Sequence, residues 1–163
     1  MTTTQTTTGM EAISRMLTEL GDKAEGVAAY GLYDGAAVMV DEVKAAVGNI
    51  RTETFHYNAF GQRLPSPEEK EALLSAGAGV AKFDRNGSEV NTAIGFGNAG
   101  YVEIAGKRKA VAQIANAINS GTSFMQKQPF IRKAKRSGSG KAEQKMLESI
   151  ERKLNEIIKE NGG

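Results

Sequence analysis

The chain has 163 residues, 40% hydrophobic and 25% charged, with a formal net charge of +2. That is the length of one ordinary domain with room for a core, and it excludes a wholly disordered chain, a collagen-like segment and a coiled-coil rod. With no cysteine and one histidine, His56, the chain has no disulfide, cysteine–zinc site, thiol nucleophile or multi-histidine metal centre. Residues 1–8 are rich in threonine and lack the basic and apolar regions of a secretory signal, so they are expected to form a flexible arm. From Gly9 to Val47 apolar residues recur at helical spacing: Met10, Ile13, Leu17 and Leu20, then Val27, Leu32, Met39, Val43 and Val47. Gly21, Gly26, Gly31 and Gly35 interrupt this run. Two arrangements fit: two helices broken near Gly21, or one long helix whose glycines admit a close neighbour. The expected arrangement is a short helix over 10–20 and a long one over 23–47.

Residues 48–64, with Phe55, His56, Tyr57 and Phe60, read as an irregular excursion. Ser66, Pro67 and Glu69 then spell a capping box with proline at the first helical position, which predicts a helix over 67–75. Residues 78–83 and 88–96 read as strands around the hairpin signal Asn86-Gly87, and Tyr101–Ile104 as a third short strand. The triplet Lys107-Arg108-Lys109 precedes a helix whose Val111, Ile114, Ala115 and Ile118 share one face, and Gly121 is a natural terminator in a left-handed conformation. Residues 122–136 are expected to form a loop, Ser137-Gly-Ser-Gly140 a hinge, and 141–161 an amphipathic helix. Its Met146/Ile150/Leu154/Ile158 stripe should dock on apolar surface. The predicted fold is α+β: N-terminal helices, a small antiparallel sheet with a hairpin, a following helix and a C-terminal helix. The predicted organisation is an arm over 1–8, one domain over 9–136, a hinge over 137–140 and a helix over 141–163.

Motifs for catalysis are weak. Gly95-Phe-Gly-Asn-Ala-Gly100 matches the dinucleotide pattern, but a strand follows where the phosphate-binding helix should open. Gly138-Ser-Gly-Lys141 lacks the spacing and the hydroxyl residue of a phosphate loop. His56 has no legible nucleophile and acid around it, and Glu68, Glu69 and Glu71 read as a solvated, capped helix start. No catalytic residue, metal or cofactor is expected, and no apolar run approaches the ~20 residues that cross a membrane.

The charge is segregated. Residues 1–103 have a net charge of −6, residues 104–142 hold nine basic residues and no acid, and residues 143–163 have a net charge of −1. The candidate functional residues are Lys107, Arg108, Lys109, Arg132, Lys133, Lys135 and Arg136. Such a segment suits a polyanion such as DNA or the acidic face of another copy of the chain. Aromatic residues nearby are sparse (Phe124, Phe130), so no base-stacking platform is apparent.

Gly121-Thr122, followed by Pro129-Phe130-Ile131-Arg132 and Ala134, resembles the signature of a family of tailed-phage proteins. These are the tail-completion or neck proteins of long-tailed phages, the Hong Kong 97-type minor tail component family. The acid that often precedes Gly-Thr in that family is replaced here by Asn119-Ser120. The resemblance implies a non-enzymatic virion protein, assembled in the host cytoplasm into a homo-oligomeric ring at the head–tail junction. Its implied partners are further copies of itself, the head connector, and tail-terminator or tube proteins, with nonspecific contact to packaged DNA. A tail-terminator-like ring or a small nonspecific DNA-binding protein are the alternatives.

Overall fold

The computed structural model describes residues 3–54, 56–86 and 89–161. The fold is α+β. A helix of 46 residues, α1 (Thr3–Gly48), runs antiparallel to one of 32 residues, α4 (Phe130–Asn161). Gly31 of α1 lies against Ile150 of α4, and Gly138 of α4 lies against Met39 and Glu42 of α1, so the contacts move in opposite directions along the two helices.

Two expectations are corrected here. Helix α1 is unbroken at Gly21, and it already includes residues 3–8, so the expected arm is helical from Thr3. Once a helix is nucleated, each added residue gains a backbone hydrogen bond, which carries it through weak formers. Gly31 and Gly35 are where α1 admits α4, and each costs up to ~1 kcal/mol in intrinsic helix propensity. The hinge at 137–140 is helix interior, and α4 begins at Phe130 in place of Lys141. Gly138 is buried in the crossing with α1. Ser139 donates back to the carbonyl of Lys135 within the helix, whereas the Ser137 hydroxyl donates across to the Glu42 carboxylate of α1 at 2.6 Å. A Ser/Gly composition that favours disorder in a linker here serves a close helix contact.

Helix α2 (Pro67–Ala76) has the complete predicted capping box, with Ser66 accepting from the Glu69 N–H and Glu69 accepting from the Ser66 N–H. The two expected long strands are four short ones: β1 (Gly79–Val80), β2 (Asp84–Asn86), β3 (Glu89–Asn91) and β4 (Ile94–Gly95). β1 pairs with β4 and β2 with β3, both antiparallel, and the register slips by one residue between the two ladders. That slip is a bulge opposite Thr92, whose hydroxyl donates to the Ala81 carbonyl. The predicted turn at Gly87 lies outside the described residues. The strand β5 (Tyr101–Ile104) forms a hairpin with β6 (Lys107–Ala110), so the basic triplet is itself a strand. Ala105 and Gly106 close this hairpin with φ of 51° and 72°, the paired positive values of a type I′ turn. Helix α3 (Val111–Ser120) follows directly, with Val111, Ile114, Ala115 and Ile118 buried as predicted.

The main core gathers Val43, Val47 and Ile50 at the end of α1 with Leu73, Phe96, Ile104, Ile114, Ile118 and Met125, and with Phe130 and Ala134 at the start of α4. The far part of the α1–α4 pair is held by a narrower seam. Val27, Ala36, Ala142, Ser149 and Ile157 are buried there. The expected Met146/Ile150/Leu154/Ile158 stripe is corrected at its end: Ile158 is exposed and Ile157 takes the buried place. Asp34 accepts from the Ser149 hydroxyl at 2.5 Å across this seam, and Arg152 lies 3.6 Å from the same carboxylate. No described helix is long and apolar enough to cross a membrane.

Candidate assembly surfaces

The residues from Gly121 to Phe130 form the joint between α3 and α4. Gly121 ends α3 with φ 76° and ψ 164°. This is a correction to the left-handed helical conformation expected of a terminator: the backbone occupies a region open essentially only to glycine. A β-carbon there would also meet Lys127 at 2.9 Å. The Thr122 hydroxyl accepts from the N–H groups of Phe124 and Met125 and fixes the turn. Gln128 is buried and bonded to both backbone groups of Arg51, accepting from its N–H and donating to its carbonyl. Pro129 then leads into α4, whose first turn receives a further bond as Asn119 Oδ1 accepts from the Ile131 N–H. Phe130 is 2% exposed, edge-on to Phe96 with ring centroids 6.2 Å apart. Ala134, one turn on, is buried on the same face, while Ile131 is half-buried. The residues 122–129 are the predicted loop, but 130–136 are the first two turns of α4.

The basic residues divide into two groups on separate elements. Arg132, Lys133, Lys135 and Arg136 are all exposed on the face of α4 turned away from Phe130 and Ala134. Lys107 and Arg108 are exposed on β6, and the Arg108 guanidinium lies 4.3 Å above the centre of the Tyr101 ring. Lys109 is a correction. It is half-buried and its ammonium sits 3.3 Å from Glu69, so its charge is paired within the subunit.

The expectation of a solvated Glu69 is corrected too. Its side chain is 3% exposed, and Arg63 grips both carboxylate oxygens at 2.7 Å. Burial pushes the Glu69 carboxyl up, but the bonds from Arg63, the Ser66 N–H and Lys109 outweigh it and hold the pKa at about 2. The capping box places Glu69 on α2, but no local pattern points to Arg63 and Lys109, which reach it from a loop and from β6. Glu68 and Glu71 remain exposed.

A third feature has no signal in the sequence pattern. The loop 57–63 lies beside 122–126, joined where the Arg63 N–H donates to the Phe124 carbonyl and Gln62 Nε2 donates to the Thr122 carbonyl. Tyr57, Phe60 and Phe124 are exposed on these two loops, Phe60 by 86%. Among the described residues no cluster of histidine, aspartate or glutamate is arranged to hold a metal ion. Comparison of the chain with known protein families, with curated proteins and with solved structures finds no match.

Proposed function

We propose that this chain is a structural subunit of a long-tailed phage, assembling as a homo-oligomeric ring at the head–tail junction between the capsid connector and the tail. The observation that carries this reading is the Gly121–Ala134 joint. The motif residues that resemble the neck-protein signature are architectural. Gly121 supplies the backbone conformation, Thr122 the turn, Pro129 the chain entry, and Phe130 and Ala134 the core contact. Arg132, between them in sequence, is turned outward with Lys133, Lys135 and Arg136. The motif therefore sets a basic helical face at a fixed position on the subunit. Such a face suits a neighbouring acidic surface or the phosphates of DNA passing through a channel.

Gold-labelled antibody against this chain, applied to intact tailed particles that contain it, tests the location. Label at the head–tail junction is the expected result; label elsewhere on the particle, or none on particles that contain the chain, contradicts it. The DNA-binding alternative predicts a different outcome: salt-sensitive binding of the free monomer to duplex DNA, without self-association.

A further inference from the structure

An open cleft of about 860 Å³ lies between α2 and β5. Ala72 and Val102 contribute to its apolar floor, and Glu68, Glu71 and Glu103 place carboxylates around it. Among the described residues, strand β5 pairs only with β6. The two-residue turn at Ala105-Gly106 makes Ile104 and Lys107 a hydrogen-bonded pair, and Val102 and Lys109 the next such pair. Tyr101 and Glu103 therefore turn their N–H and C=O groups away from β6, and neither has another backbone partner among the described residues. By the same alternation Arg108 turns its backbone groups to the outer edge of β6. The hairpin thus has two open edges of opposite character: an acidic one at β5 and a basic one at β6.

We propose that the outer edge of β6 from a second copy of this chain adds to β5 in this cleft, antiparallel, linking copies head to tail. Charge selects this pairing over the symmetric ones. Joining β5 to β5 would set Glu103 beside the Glu103 of its copy, and joining β6 to β6 would do the same with Arg108. Joining β6 to β5 brings Lys107 and Arg108 to Glu68, Glu71 and Glu103. A head-to-tail contact closes into a ring when its rotation permits. The inference deepens the ring reading and rests on it for the identity of the assembly.

The test uses the full chain in light scattering at low salt, with circular dichroism to confirm folding. Two double variants are made, Glu68→Lys with Glu71→Lys, and Lys107→Glu with Arg108→Glu. Each alone should self-associate about tenfold or more weakly than the natural chain. Mixed in equal amounts, they should regain association, because each reversed surface then meets its complement. A third variant, Glu103→Pro, removes an outward N–H and leaves the β5–β6 bonds in place; it too should lose association. If the natural chain associates and the folded double variants match it, or if the mixture fails to recover, this interface is overturned while the ring reading stands. If the natural chain remains at 17.4 kDa throughout, both are overturned.

Discussion

Gly35 of α1 and Met146 of α4 meet with no room for a β-carbon: one built on Gly35 would stand 2.8 Å from the Met146 sulfur. The Ala142 carbonyl is 3.1 Å from the same point, so the helix backbones themselves are close. Gly140, also inside α4, faces open space. The two glycines therefore respond oppositely to the same change. Gly35→Ala should destabilise the subunit by about 1–3 kcal/mol through overpacking. Gly140→Ala should stabilise it by about 0.5–1 kcal/mol through helix propensity. Denaturant unfolding of the two variants measures both signs.

Glu69 makes stability depend on acid. Its folded pKa of about 2 lies below the ordinary carboxylate range, so the folded state binds its proton more weakly than the unfolded chain. The stabilisation is fully present above the unfolded pKa of ~4.3 and is lost as pH falls towards 2, amounting to about 3 kcal/mol at most. Glu69→Gln should remove this part of the acid dependence and lower stability at neutral pH, since Arg63 and Lys109 are left facing a neutral group. Unfolding free energies of both forms from pH 6 to pH 2 measure the difference; parallel curves would contradict the assignment.

Phe130→Ala should cost roughly 3–5 kcal/mol, because its ring is buried against Phe96 at the start of α4. Isolated-subunit unfolding should show the whole loss. Unchanged unfolding together with lost assembly would place Phe130 at an interface instead.

Gly121→Ala should be destabilising by more than about 1 kcal/mol, because the positive φ and extended ψ exclude a side chain and Lys127 blocks its space. At Gly61 the φ is also positive, at 73°, but nothing lies within 4 Å of a β-carbon. Gly61→Ala should therefore cost less, and the thermal midpoints of the two variants should separate in that order.

The elements legible in the sequence are those set by local rules. The capping box locates α2 to within a residue of its end, the apolar periodicity locates α3, and Tyr101–Ile104 appears as β5. The errors arise where a distant neighbour decides the outcome. Gly21 and Gly138 read as breaks because glycine is costly in an isolated helix, yet α1 and α4 run through them, and Gly138 joins Gly31 and Gly35 in the contact between the two helices. The triplet at 107–109 reads as a prelude to α3 because its pairing with β5 depends on an Ala-Gly turn with two positive φ values, a weaker signal than Asn-Gly. The basic positions on α4 are legible and exposed, whereas Lys109 carries the same charge in the sequence and is consumed by Glu69. Formal charge alone does not distinguish an exposed cation from a half-buried one paired within the subunit.

Electron microscopy of the purified full-length chain tests the central claim most directly. The account predicts closed rings of repeated subunits, which dissociate when Lys107 and Arg108 are changed to glutamate. A population of single 17.4 kDa particles at every concentration and salt, or open aggregates without rotational symmetry, would contradict it.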